Sequence, residues 1–92
     1  MNLKREKAVL VLGGTGHYGR YIVRNLLKKG ENVRVLSRDI NRARKVLGTK
    51  VEIIKGDIRN KITIKKCLDN VKGIIICISA FSPKLIRKIE SI

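Results

Sequence analysis

Apolar residues in this chain fall into four short runs, separated by stretches where they recur every three or four positions. The runs are AVLVL at 8–12, VRVLS at 33–37, VEIIK at 51–55 and GIIICIS at 73–79. Each has strand length and is rich in β-branched residues, so each is predicted as a β-strand. The first and last are apolar almost throughout, as parallel strands covered on both faces are. The middle two carry Arg34 and Glu52. They alternate more and are expected nearer the sheet edge.

Helical spacing fills the gaps. Tyr18, Ile22 and Leu26, with Val23 and Leu27, follow i, i+4 spacing on one side of a first helix. Lys28 and Lys29 suit its negative end, and Gly30 is placed to end it. Asp39 or Asn41 can cap a second helix with Ile40, Ala43 and Leu47 on one face and Gly48 after it. A third helix carries Ile64, Cys67, Leu68 and Val71 at i, i+3, i+4 and i+7. Ser82-Pro83 opens a fourth, with Leu85, Ile89 and Ile92 as its stripe. Strands alternating with helices imply a parallel sheet with right-handed crossovers. The expected fold is α/β, a Rossmann-type three-layer α/β/α domain over 1–92. Its four-stranded parallel sheet has the predicted order 3-2-1-4, and the chain is expected to stop before a fifth strand.

Half of the 8 glycines lie in seven positions, in LGGTGHYGR at 12–20. The stretch follows a predicted buried strand and opens an amphipathic helix, the context in which a glycine loop holds a pyrophosphate. Gly13 turns the chain off the strand, Gly16 lets a phosphate approach the backbone, and Gly19 lets the helix pack closely on the sheet. Gly14 belongs to the same loop. The first N–H groups of the helix would face the anion, and Thr15 can add a hydroxyl. A tight strand–helix turn without ligand is the alternative.

Dinucleotide-binding sheets read the ribose at the tip of the second strand, where NAD-binding forms place a carboxylate. Here Ser37 and Arg38 stand there. A guanidinium pairs with a 2′-phosphate bidentately and Ser37 can donate to it, so NADP is favoured over NAD. NAD stays possible because Asp39 follows, although capping gives Asp39 another task. Arg38 as a solvated loop residue is the alternative. At the third strand tip, KGDI at 55–58, Asp57 can cap the next helix, accept from an adenine amino group, or both. At the fourth, Ile78, Ser79 and Ala80 would floor the cofactor ribose, in the crevice where strand order reverses.

LGGTGHYGRYIV, VRVLSRD, KGDI and GIIICISA together resemble the start of an atypical short-chain dehydrogenase/reductase, closest to the NmrA-like and isoflavone-reductase-like group. The resemblance runs from about Ala8 to the end. It implies a pyrophosphate loop at Gly13, Thr15, Gly16 and Gly19, with His17 and Tyr18 at variable positions that often hold an aromatic residue. It also implies Ser37 and Arg38 at the 2′-phosphate and Asp57 with Ile58 at the adenine. Family enzymes carry a catalytic Tyr-x-x-x-Lys after the fifth strand. Neither Tyr18 nor Tyr21 fits it, since Asn25 stands four places beyond Tyr21. The expectation is therefore a cofactor-binding part that does not transfer hydride. A non-enzymatic NADP-sensing module is the alternative.

Charge adds one competing class. Lys and Arg total 22 against 7 acidic residues, a net charge of +15. Such a field attracts polyanions. The basic residues are spread along the chain, however, and aromatics are only 3% of it, so a nucleic-acid-binding module is disfavoured. Arg42, Arg44 and Lys45 are read as a solvated helix face. Cys67 and Cys77 form no disulfide framework or metal spacing and are expected to be small core residues in a cytoplasmic protein. His17 is expected to line the phosphate loop. GGTGHYGR lacks the GK[ST] of an ATP-hydrolysing loop. No apolar run is long enough for a membrane span. The outer edge of the fourth strand is expected to be open to a second copy or a partner chain.

Overall fold

The computed structural model describes residues 6–77. Four parallel strands, β1 (Ala8–Leu12), β2 (Asn32–Ser37), β3 (Glu52–Lys55) and β4 (Val71–Ile76), lie in the order β3-β2-β1-β4. Between them run α1 (His17–Lys28), α2 (Ile40–Leu47) and α3 (Lys61–Leu68). The sheet is therefore the expected one, a Rossmann-type α/β arrangement. Val9, Leu10, Val11 and Leu12 of β1 pair with Val33 to Leu36 on one side and Gly73 to Ile76 on the other. All the strand tips thus point to one end of the sheet.

Alternation along the strands divides the core into two. On one face Val9, Val11, Val33 and Val35 pack with Val23, Leu26 and Leu27 of α1 and Leu47 of α2. On the other, Leu10 and Leu12 pack with Cys67 and Leu68 of α3. This makes three layers with β1 buried throughout. The helix ends follow local chemistry. Asp39 caps α2 by accepting from the Arg42 N–H at 3.0 Å. Gly30, at φ +80°, ends α1 in a Schellman turn: its N–H donates to Leu27 O and that of Glu31 to Leu26 O, both at 3.0 Å.

Several expectations change. Tyr18 is 71% exposed, because Gly19 and Val23 turn toward the sheet and rotate the apolar stripe by one residue. The third helix stops at Leu68, and Asn70 at φ +55° turns the chain, so Val71 begins β4 instead of ending a helix. β4 accordingly begins at Val71 rather than Gly73 and, within the described residues, runs to Ile76, with a register shift between the partners of Ala8 and Val9. Ile74 and Ile76 on it are exposed, and among the described residues β4 has a neighbour strand on one side only. Cys77 follows β4, half-buried, its N–H donating to Leu12 O; Cys67 is a buried core residue as expected.

β2 is an inner strand, and Arg34 is only 3% exposed. Burial of that charge is possible because Nε and Nη1 both find acceptors and no buried side-chain nitrogen is left without one among the described residues. Nε donates to Glu52 Oε1 at 2.9 Å, and Nη1 donates to the carbonyls of Cys67 and Asp69 at the end of α3. Arg34 thus ties β2, β3 and α3 together. Arg44, read from sequence as part of a solvated face, similarly donates to Gly48 O and Val51 O and joins α2 to β3. The fourth helix from Ser82, and Ile78, Ser79 and Ala80, lie outside the described residues.

Candidate functional site

At the tip of β1 the chain reverses through Gly13, whose φ of +86° is strained for any residue with a side chain. The Gly16 N–H closes the turn on Gly13 O at 3.1 Å. Gly16 is the N-cap of α1 and supplies no side-chain cap, and no acidic residue lies in the first turn. The opening N–H groups of α1 therefore meet no side-chain acceptor of their own helix end. Gly19 fixes where that end sits. A Cβ there would lie 1.9 Å from Gly13 O and 2.8 Å from Gly14 Cα. Only glycine permits this helix to approach the loop so closely. Gly14 is buried, and a Cβ on it would meet Val35 at 3.0 Å. Gly14 and Gly19 thus serve packing, whereas Gly16 is exposed and has only Gly13 O near its missing side chain, at 3.3 Å.

Next to this loop the tips of β2 and β3 complete a cleft of about 500 Å³. It brings together Gly13, Thr15, Gly16, Ser37, Arg38, Asp57 and Ile58 from the expected set. Leu12, Leu36 and Gly56 form its apolar and backbone lining. Asp39, weighed at the second strand tip from sequence, also lines it, as do Arg42 and Arg59, which sequence reasoning did not place there. Arg42 had a visible signal, since it lies three residues past the cap Asp39 and so in the first turn of α2. His17, Tyr18, Gly14 and Gly19 do not line the cleft. The rings of Tyr18 and Tyr21 stand edge-on to His17, at centroid distances of 5.3 and 6.1 Å, on the exposed start of α1.

The polar groups of the cleft are specifically arranged. Ser37 Oγ donates to Asp39 O at 3.0 Å and accepts from the Asp39 N–H at 3.1 Å, which shapes the turn that presents Arg38. Asp57 does not cap α3. That role belongs to Asn60, whose side chain accepts from the Ile62 and Thr63 N–H groups. Asp57 instead holds Arg59: its Oδ1 accepts from the Arg59 N–H at 2.9 Å and from Nε at 3.2 Å, and its Oδ2 from Nη2 at 2.9 Å. The Arg59 side chain, then its backbone N–H, hold the Asp57 carboxyl down at about 2; partial desolvation opposes them and Arg38 adds a weaker pull. The cleft therefore offers exposed backbone at one end and guanidinium groups at the other. That is chemistry for holding an elongated anion with phosphates at separated positions.

The fold and this loop define a Rossmann-type α/β protein with a glycine turn between β1 and α1. The model of the NmrA-like family matches residues 5–91, and the chain belongs to that family. Among curated relatives, it is 37% identical over 68 residues to the photosystem II assembly factor Ycf39 of Trieres chinensis, covering 74% of this chain and 21% of that one. The chain thus spans about a fifth of that relative's length. A solved isoflavone reductase superposes with a TM-score of 0.75 at 25% identity, over 95% of this chain and 32% of the other. The Escherichia coli quinone oxidoreductase QOR2, solved with NADPH, gives a TM-score of 0.75 at 16% identity, over 90% and 31% of the two chains. At that identity the likeness is one of fold. Among the described residues, no helix is long and apolar enough to cross a membrane.

Proposed function

We propose that this chain binds NADP(H), as the N-terminal cofactor-binding part of an atypical short-chain dehydrogenase/reductase-like protein. The observation that carries this reading is the convergence of Gly13, Thr15 and Gly16 with Arg38, Asp57 and Ile58 on one cleft. These residues come from three strand tips spread over some 45 positions of sequence, counting from Gly13 to Ile58. In this reading the pyrophosphate lies on the exposed backbone at Gly16 and the start of α1. The adenosine end runs across the tips of β2 and β3. Arg38 takes the 2′-phosphate, and Arg42 adds positive charge beside it. Asp57 and Ile58 border the adenine, with one lone pair of Asp57 Oδ2 left for its amino group. The nicotinamide dinucleotide solved with QOR2 supports the choice of ligand class.

The same proposal includes a cytoplasmic setting for two unpaired thiols, Cys67 and Cys77. It also includes a second chain along the outer edge of β4, where Ile74 and Ile76 are 47% and 50% exposed. Titration of the chain with NADPH and NADH tests the ligand. NADPH is expected to bind more tightly, and Arg38→Asp to abolish that preference. Equal affinities before and after the substitution would remove the 2′-phosphate from the reading.

A further inference from the structure

Arg59 is required neither by the glycine loop nor by the cap of α3, yet its side chain folds back on Asp57. It occupies both carboxylate oxygens, with Nε on Oδ1 at 3.2 Å and Nη2 on Oδ2 at 2.9 Å. Its own N–H adds a third bond to the carboxylate, the second on Oδ1. The pair and Arg38 line the same cleft, and Arg38 exerts a weaker pull on the same carboxylate. Arg38 itself is exposed and forms no ion pair among the described residues.

Two charges thus compete for Asp57, and Arg59 holds it. Removing Arg59 would leave an ionised carboxylate next to Arg38. That carboxylate would pair with Arg38, and its charge would repel a phosphate arriving at the same place. We propose that Arg59 is a positioning residue for phosphate selectivity: by holding Asp57 in an ion pair, it keeps Arg38 available to a phosphate monoester on the ribose. The inference rests on the dinucleotide reading above. It assigns Arg59 no contact with the phosphate; Arg59 acts through Asp57 and Arg38.

The test compares variants at Asp57 and Arg59 with the parent, each as the full 92-residue chain. It is read as the ratio of NADPH to NADH affinity, so that any loss of adenine contacts cancels. Arg59→Gln is expected to lower the ratio about tenfold, mainly by weakening NADPH. Asp57→Asn combined with Arg59→Gln is expected to restore it to within about twofold of the parent, because the competing charge is gone. Arg59→Lys, which keeps a cation beside Asp57, is expected to stay near the parent, and circular dichroism verifies that each variant is folded. An unchanged ratio in Arg59→Gln overturns the inference. So does a lowered ratio that the double variant fails to restore, which would mean that Arg59 touches the phosphate itself. A parent chain that binds neither nucleotide overturns the dinucleotide reading and this inference with it.

Discussion

Gly16 and Gly19 sit three residues apart in one motif and do different things. A Cβ on Gly19 would meet Gly13 O at 1.9 Å, whereas on Gly16 its nearest neighbour lies at 3.3 Å. Gly19→Ala is therefore expected to destabilise the fold by about 3 kcal/mol, the upper end for overpacking, measured by urea denaturation. Gly16→Ala is expected to cost less than about 1 kcal/mol. It should nevertheless weaken NADPH binding at least tenfold, since the methyl faces the approaching phosphate. Asp57 gives a second prediction at this scale. Its carboxyl is lowered from 3.8 to about 2, so the Arg59 pair stabilises the folded chain at pH values above 3.8 and loses that effect as pH falls through about 2. The side-chain carbon of Asp57, followed by NMR, should titrate near 2 and move back toward 3.8 in Arg59→Gln. The turn at Gly13 and the close packing at Gly19 were legible because they follow from backbone geometry between near neighbours. Arg59 was not, because a loop arginine two residues past an aspartate has the same local pattern whether it pairs or is solvated.

Among the elements, the connection between β2, β3 and α3 depends on one buried cation. Arg34 donates to Glu52 and to the carbonyls of Cys67 and Asp69, so Arg34→Ala strands two acceptors at the end of α3. The expected loss is about 2–3 kcal/mol, read from thermal or urea unfolding. Cys67, packed beneath this network, reports it directly. Burial raises its thiol above the ordinary value although the Arg34 charge opposes this, so at pH 8 it should resist alkylation in the parent; in Arg34→Ala it should react faster because the destabilised fold opens more often. Element order, strand pairing and most helix positions were readable from apolar periodicity. The position of Arg34 was not, because a charge in a strand points to an edge unless its partners are known, and these lie 18 to 35 residues away. The start of β4 was misplaced for a related reason. Val71 continues the apolar spacing of α3, but Asn70 enters the left-handed region and ends the helix first.

For the whole molecule, the net charge of +15 and the cleft make opposed predictions about where an anion goes. A general electrostatic surface would attract any polyanion, with binding spread over the exposed lysines and arginines and steeply weakened by salt. A built site would collect one nucleotide at the strand tips. The sequence contained both possibilities, and the convergence of the β1, β2 and β3 tips on one cleft is the observation that favours the second. The most direct measurement is amide NMR of the full chain during titration with NADPH at physiological ionic strength. The account predicts saturable shifts concentrated at Gly13–His17, Arg38–Arg42 and Asp57–Arg59. Shifts that do not saturate, or that scatter over the outer faces of α1, α2 and α3 and vanish with added salt, would contradict it.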